Sequence, residues 1–419
     1  MATEKSGGFL KFLIYATGPA LITASVVVGP GSIVTASKAG GHFGYSLVWL
    51  LFCSSLFMMA YTYMGSRIGC CADRSILTLT AEKYGRWVSI LAGISSFLVV
   101  AFFQSGNNLG VATAMTGLTG IDEFYWPIVF TGISLAMLFL STNLYKLLEI
   151  LMKVLIGLMV LSFLANLFYT GIRPVAFLKG FIPSFPEGSG DVARGMFPTT
   201  FSVVAALYAA HLAQGKKWRR EDAGTAGKDA AVGIFMLFFI SLIILSTAAG
   251  AFYGKEGIEL GSAAQLSGAL EGLFGSSARY IFCFGLAAAA FSSFLVNAMA
   301  GGGLLVDGLG MDKSFDRLPV KIGTTAALLI GMLIAMLALK TEFNPVTTIL
   351  IAQAATLLAV PVCAVLLLLL ANDRSVMGEM KNGPVVNGIA GIGFLVLCWM
   401  IWNTIGSIQA KFAALGAGG

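Results

Sequence analysis

Residues 18–41 read GPALITASVVVGPGSIVTASKAGG, an apolar segment with Gly29-Pro30-Gly31-Ser32 at its centre. The segment is long enough to cross a bilayer as a helix. It cannot do so as one helix. Proline removes a backbone donor and clashes with the preceding turn, and the flanking glycines raise the entropy cost of helix. The span is therefore expected to split into half-helices at 18–28 and 32–41. Unwound backbone at membrane depth is tolerated only where it is buried in protein or lines a cavity. Broken spans of this kind mark transporter binding sites. A merely kinked packing helix usually needs only one breaker.

Composition sets the class around that segment. Of 419 residues, 57% are hydrophobic and 11% charged, and the mean hydropathy is +0.87. A soluble domain is about 25% charged. The pattern is that of an all-α polytopic membrane protein in one transmembrane domain, 1–419. The net charge of +6 does not imply nucleic acid, because the Lys and Arg residues fall in loops, where they orient a membrane chain. The six cysteines lack zinc-ligand spacing, and adjacent Cys70 and Cys71 do not readily form a normal disulfide. No cleavable leader pattern precedes residue 13. No nucleotide-binding motif and no nucleophile–base–acid set appears, so neither an enzyme nor an ATP-driven pump is expected, and no cofactor.

Eleven spans are expected. They lie near 18–41, 45–69, 86–118, 124–141, 145–169, 191–213, 230–253, 276–301, 320–339, 345–371 and 385–410, with a short amphipathic helix at 75–84. Basic residues cluster between spans two and three (Arg67, Arg74, Lys83, Arg86), six and seven (Lys216, Lys217, Arg219, Arg220, Lys228) and eight and nine (Lys313, Arg317, Lys321). The positive-inside rule then places the N-terminus in the cytoplasm and the C-terminus outside, as in a bacterial inner membrane. Counting gives five spans (1–169), five in opposite orientation (191–371) and one extra (385–410), an inverted repeat.

Further stretches make a family resemblance. Gly18-Pro19, the run to Gly29-Pro30-Gly31-Ser32, and Phe43-Gly44-Tyr45 follow one first-helix frame. Lys146-Leu147-Leu148-Glu149 opens span five, Leu286 to Ser293 forms span eight, Gln353 precedes Pro361 in span ten, and Asp373-Arg374-Ser375-Val376-Met377-Gly378-Glu379 follows it. Over essentially its whole length the chain resembles the Nramp family of divalent-metal transporters. The resemblance implies the leucine-transporter fold, alternating access, and a site between spans one and six.

The departures bear on selectivity. The family's Asp-Pro-Gly-Asn, whose Asp and Asn ligate metal, is here Gly29-Pro30-Gly31-Ser32. Its Met-Pro-His aligns with Val203-Val204-Ala205, and the acidic pair of its third helix with Gln104 and Asn107. By the resemblance the substrate-binding positions are Gly29, Pro30, Gly31, Ser32, Thr200, Ser202, Val203 and Gln353, and the former proton path is Gln104 and Asn107. Of the family's side-chain ligands only Gln353 persists. A divalent cation needs anionic or strongly coordinating ligands to replace its water, and soft metals lose their thioether. Tight Mn²⁺ or Fe²⁺ binding and strong proton coupling are not expected; a hydrated hard ion such as Mg²⁺ could still be handled, though without a carboxylate even that is weak.

Two other readings are open. With Ser32 as N-cap of the second half-helix, the N–H groups of Gly31, Ser32 and Ile33 would suit a small anionic or zwitterionic solute. A non-transporting receptor is the third reading; the retained break argues against it. Span six is expected to unwind near 200–206 despite lacking Gly or Pro there, with Thr199, Thr200 and Ser202 bonding the freed backbone. Glu149 and Lys153 are spaced to pair within span five. Lys38 and His42 suit interfacial positions, and His211 ends span six near a basic loop. Gly301-Gly302-Gly303 reads as a hinge or helix end. Gln104 and Asn107 do not titrate, and no carboxylate is expected near mid-depth in the spans.

Overall fold

The computed structural model describes residues 18–141, 143–255, 257, 260, 262–312, 314, 316–340 and 360–417. Among them the chain is almost entirely helical. The first span is broken where the Gly-Pro-Gly run requires: α1 (Gly18–Val27) stops, and α2 (Pro30–Phe43) leaves at 65°. There follow α3 (Val48–Cys71), α4 (Ile76–Tyr84), α5 (Arg86–Thr119), α6 (Tyr125–Leu140), α7 (Leu144–Thr170), short α8 (Pro174–Lys179), α9 (Gly190–Thr200), α10 (Val203–Gly215) and α11 (Ala223–Phe252). The chain continues through α12 (Ala263–Phe274), α13 (Ser276–Gly308), α14 (Leu318–Lys340), α15 (Val360–Asn372), α16 (Arg374–Met377) and α17 (Pro384–Ala417). Among the described residues, eight helical segments are long and apolar enough to cross a membrane; the bent pair α1/α2 and the shorter α6 occupy two other expected positions, and of the expected span 345–371 only the part from Val360 is described, the rest lying outside the described residues.

Span six is interrupted for only two residues, Phe201 and Ser202, narrower than the stretch expected from sequence. Pro198 lies one turn before the gap and removes a donor from α9. Phe201 is buried against Phe57, Tyr61 and Phe197, with ring centroids 5.1–6.1 Å apart. That aromatic packing holds the chain out of helical register where no glycine does.

The helices divide into two packed groups. α1, α2, α3, α10 and α11 pack mainly on one another, and α5, α7, α13 and α14 form a second set around α13. The first set holds both interrupted spans; it is called the bundle below, and the second the scaffold. Within the bundle, α10 lies so close to α3 that a Cβ on Gly65 or Gly69 would run into the backbone of Ala206 or Ala210. Small residues permit such approach, and they recur at helix contacts in membranes.

Three expectations need correction. Gly301-Gly302-Gly303 is neither hinge nor helix end but lies inside α13. A Cβ on Gly302 would collide with the backbone of α14 at Thr324, so these glycines serve helix contact. Both α11 and α13 also run seven residues beyond the apolar stretches 230–253 and 276–301, and so take in Lys228, Asp229 and Asp307. Hydropathy windows end at a charge, whereas a helix continues when that charge is buried with partners. Finally, α12 was not anticipated; Ser262 and Gln265 start it with a reciprocal capping box.

The loops between spans two and three, six and seven, and eight and nine gather at one end. Arg74, Lys217, Arg219 and Asp312 line one cavity there. Arg220 donates to the carbonyls of Cys71, Val376 and Met377, and Lys83 lies 2.6 Å from Asp373. This is the basic end.

Candidate functional site

Breaking span one frees backbone carbonyls, and buried carbonyls need donors. Gly29 is the N-cap of α2 in an extended conformation, with Pro30 at the first helical position, where a missing N–H costs nothing. Ser32 is thus not the N-cap, as the sequence suggested, but lies one turn in. Its hydroxyl is shared between the carbonyl of Val27 (2.8 Å) and that of Thr199 (3.2 Å). One serine therefore links the two broken spans. From the scaffold, Ser293 of α13 reaches the carbonyls of Ser25 and Val28, both at 2.6 Å. The freed oxygens of span one are thus held by two serine hydroxyls, one from each group of helices.

The expected site residues come together in part. Gly29 faces the scaffold: a Cβ there would lie 3.0 Å from Asn107 Oδ1 and 3.3 Å from Ser293 Oγ. Pro30 packs against Gly110 of α5. Gly31 is exposed, and Thr35 meets Thr199 across the gap at 3.3 Å between hydroxyls. Thr200, in contrast, donates back within α9 to Met196 (2.9 Å), and Thr199 also bonds back to Gly195 and Met196. Neither hydroxyl caps the break as anticipated. Ser202 makes no side-chain cap, and Val203 is fully buried. Gln353 lies outside the described residues. Asn107 donates to Gln104 Oε1 at 3.0 Å, and Gln104, also fully buried, packs on Gly331 of α14. Only Asn107 of that pair touches the break.

None of Gly29, Ser32, Asn107, Thr199 or Ser293 carries a charge, and no group of three His, Cys, Asp or Glu suited to a metal occurs among the described residues. The two packing halves differ in access. Leu21 to Val28 and Val203 to Ala213 are buried, while Gly31 is exposed and Val34, Thr35 and Lys38 are half-buried. The α1/α10 side of the break is sealed, and the α2/α9 side is the open one. His42 is exposed, and Lys153 pairs with Glu149 at 3.0 Å, as the spacing anticipated.

Sequence reasoning missed three buried groups. Asp229 lies within α11. Asp307, near the end of α13, stands 3.0 Å from His211 Nε2. Ser293 was part of a recognised stretch, but nothing in the sequence shows that it holds the break. The two aspartates sit just outside apolar stretches, and the partners of Asp307 come from distant parts of the chain.

Across residues 20–407 the chain matches the model of the "Natural resistance-associated macrophage protein-like" family. It belongs to the Nramp family. A divalent metal cation transporter MntH of Deinococcus radiodurans is 25% identical over 402 residues, covering 93% of this chain and 90% of that protein. One of Latilactobacillus sakei is 23% identical, covering 97% and 93%. Among solved structures, a manganese transporter of Eremococcus coleocola aligns with a TM-score of 0.82 at 18% identity, covering 97% of this chain and 89% of that one. MhsT in complex with L-phenylalanine aligns at 0.60 and 16%, covering 92% and 98%. The Nramp chain thus has the leucine-transporter-like fold, 5+5 inverted repeats with an additional helix.

Proposed function

We propose that this Nramp protein is a secondary transporter that carries a divalent cation by alternating access, with the bundle rocking against the scaffold around the break of span one. One observation carries the reading. The interruptions of spans one and six meet at Ser32 and Thr199, at the junction of the two helix groups. The relatives named as divalent metal cation transporters support the substrate class. The sealed α1/α10 side and open α2/α9 side correspond to one end state. If the basic end is cytoplasmic, as the positive-inside rule requires, that state opens outward.

The oxygens around the break are neutral: backbone carbonyls of Val27, Val28 and Thr199 and the hydroxyls of Ser32 and Ser293. Such a set offers neither carboxylate nor thioether to replace the water of Mn²⁺ or Fe²⁺, and suits an ion that keeps several of its waters, as Mg²⁺ does. The anion reading loses ground. Pro30 contributes no donor, Ile33 N–H bonds Gly29 O at 3.2 Å, and only the N–H groups of Gly31 and Ser32 remain from the first turn. Gln104 and Asn107 do not titrate, so proton coupling through span three is not expected.

The test is uptake by proteoliposomes of purified protein, with Mg²⁺, Mn²⁺, Fe²⁺ and small organic acids compared, each with and without a proton gradient. Uptake of Mg²⁺ in preference to Mn²⁺ is expected. Concentrative uptake of an organic acid, with no metal transported, would overturn the cation reading.

A further inference from the structure

One buried acid–base pair joins the bundle to the scaffold at the basic end. His211 of α10 is 4% exposed and Asp307 of α13 is 1% exposed, with Nε2 and Oδ2 3.0 Å apart. Asp307 sits in the last turn of α13, where the helix dipole opposes a carboxylate. It is offset by donors from the start of α4: the Ser75 hydroxyl, the Leu77 N–H at 3.3 Å and the Thr78 hydroxyl at 3.3 Å. Three donors suit an ionised carboxylate, which only accepts. α4 packs on α5 and α13, so these donors belong to the scaffold. His211 alone of this set comes from the bundle. α10 otherwise packs on α3 and α1 and meets α13 and α4 only sparsely.

The surroundings contain further charge. His211 stacks on Tyr208 of its own helix, with centroids 5.8 Å apart. Ser75 and Thr78 line a cavity of about 610 Å³ with Asp73, Arg74, Lys217, Arg219 and Asp312. Arg74 is paired with Glu82, and Asp312 with Arg317. From α5, Arg86 lies against Gly310. On α3, Arg67 donates to the Met380 carbonyl, and Cys70 and Cys71 are buried. The carboxylate is therefore dry, yet only two hydroxyls separate it from the cavity.

We propose that His211 and Asp307 form a proton-binding latch at the basic end: with its proton the pair holds α10 to α13, and loss of that proton to the cavity releases the bundle. The proposal rests on the alternating-access reading. Protonated, His211 sets an imidazolium 3.0 Å from the Asp307 carboxylate in a buried site; deprotonated, it offers at most a neutral N–H to the same carboxylate, and the attraction between opposite charges is lost. Acid therefore strengthens the closed end and alkali weakens it. Because the pair exists only while the end is closed, opening and proton release are reciprocally linked. The proton leaves His211 by way of Asp307 and the Ser75 and Thr78 hydroxyls for water in the cavity, and the hydroxyls return to Asp307 once it has passed. The former proton-path positions at Gln104 and Asn107 take no part.

The chain contains two histidines, His42 and His211, and His42 is exposed, so histidine-selective NMR in nanodiscs is readable. His211 should change from imidazolium to imidazole between pH 5 and 9, with a midpoint that Asp307→Asn moves by a unit or more. With the intrinsic amide rate at each pH divided out, Val203–Gly215 should be at least severalfold less protected from hydrogen exchange at pH 8.5 than at pH 6, a difference that His211→Gln and Asp307→Asn both remove. A purely structural pair would lower thermal stability in the variants yet leave the pH difference intact. That outcome, or a His211 midpoint unmoved by Asp307→Asn, overturns the latch. The reading beneath it is checked separately, by exchange in α1 and α10 on adding 10 mM Mg²⁺ or Mn²⁺. A response to metal with no response to pH sinks the latch alone; a response to neither sinks alternating access as well.

Discussion

Replacing Ser293 with alanine removes one hydroxyl from a fully buried position, and that hydroxyl reaches two carbonyls freed by the break, Ser25 and Val28, at 2.6 Å each. One hydroxyl carries one proton, so the loss amounts to one shared hydrogen bond. Leaving a buried acceptor unsatisfied costs about 1–3 kcal/mol. For a chain of this size, unfolding entropies of about 2 cal/mol/K per residue convert that into a melting shift of about 1–4 °C. Ser292 provides the control. It is equally buried, but its hydroxyl bonds back to Ala289 within α13 at 2.9 Å. Ser292→Ala should shift the melting temperature by less than half as much. The two variants are compared by intrinsic-fluorescence melting in one detergent, and amide exchange is followed over residues 21–29. Ser293→Ala should speed exchange there; Ser292→Ala should not. Equal effects of the two variants, or an unchanged break in Ser293→Ala, would refute the assignment of Ser293 as the group that holds span one open.

Wild type should bind Mn²⁺ no more tightly than about 1 mM, near −4 kcal/mol. Gly29→Asp, Ser32→Asn and Val203→Met together should tighten calorimetric binding at least tenfold, whereas micromolar binding by wild type would contradict the neutral-site reading. Gly110→Val should cost about 1–3 kcal/mol and abolish uptake, because any Cβ at 110 overlaps the Pro30 ring; unchanged uptake would show that α2 need not touch α5. Just past span ten, hydrogen bonds from Lys83 and Ser375 hold the Asp373 carboxyl down at about 2 instead of 3.8. Its stabilisation is therefore complete above pH 4 and lost as the pH falls through 2, so melting curves of wild type and Asp373→Asn should converge across that window and differ above it.

Much of the fold was legible because the bilayer constrains composition so strongly. A run of apolar residues near the required length has few alternatives, and Gly-Pro-Gly states its own break. The second break had no such local statement. It depends on Phe201 seating among Phe57, Tyr61 and Phe197, residues drawn from two helices, and only tertiary structure brings them together. The three glycines at 301–303 illustrate the same limit. Their sequence equally suits a hinge and a close helix contact, and the proximity of Thr324 decides between them. At the site, the resemblance to the family implied that Gly29, Ser32 and Val203 stand where a carboxylate, an amide and a thioether would be expected. The sequence could not show that Ser32 would spend its hydroxyl on two carbonyls, since the capping pattern alone pointed to an N-cap.

Two polar contacts between bundle and scaffold, among the described residues, differ in kind. At the break the contact is Ser293 with backbone carbonyls, all neutral, and its strength does not vary over the physiological pH range. At the basic end it is His211 with Asp307, whose strength depends on a proton. In a transporter with a carboxylate at the break, substrate charge and proton charge would compete for one place. Here a cation entering the break meets carbonyls and hydroxyls only, and its arrival changes no protonation there. On the latch reading, pH acts on the rocking equilibrium at a distance from the substrate, through the end that α10 closes. It follows that acid should favour the sealed end whether or not cation is present. Uptake by Ser293→Ala, with the neutral contact weakened, should retain the pH profile of wild type. Uptake by His211→Gln should retain the cation preference and lose the profile. A variant at either position that altered both properties together would show that the two contacts are a single coupled device, and the separation argued from their chemistry would fail.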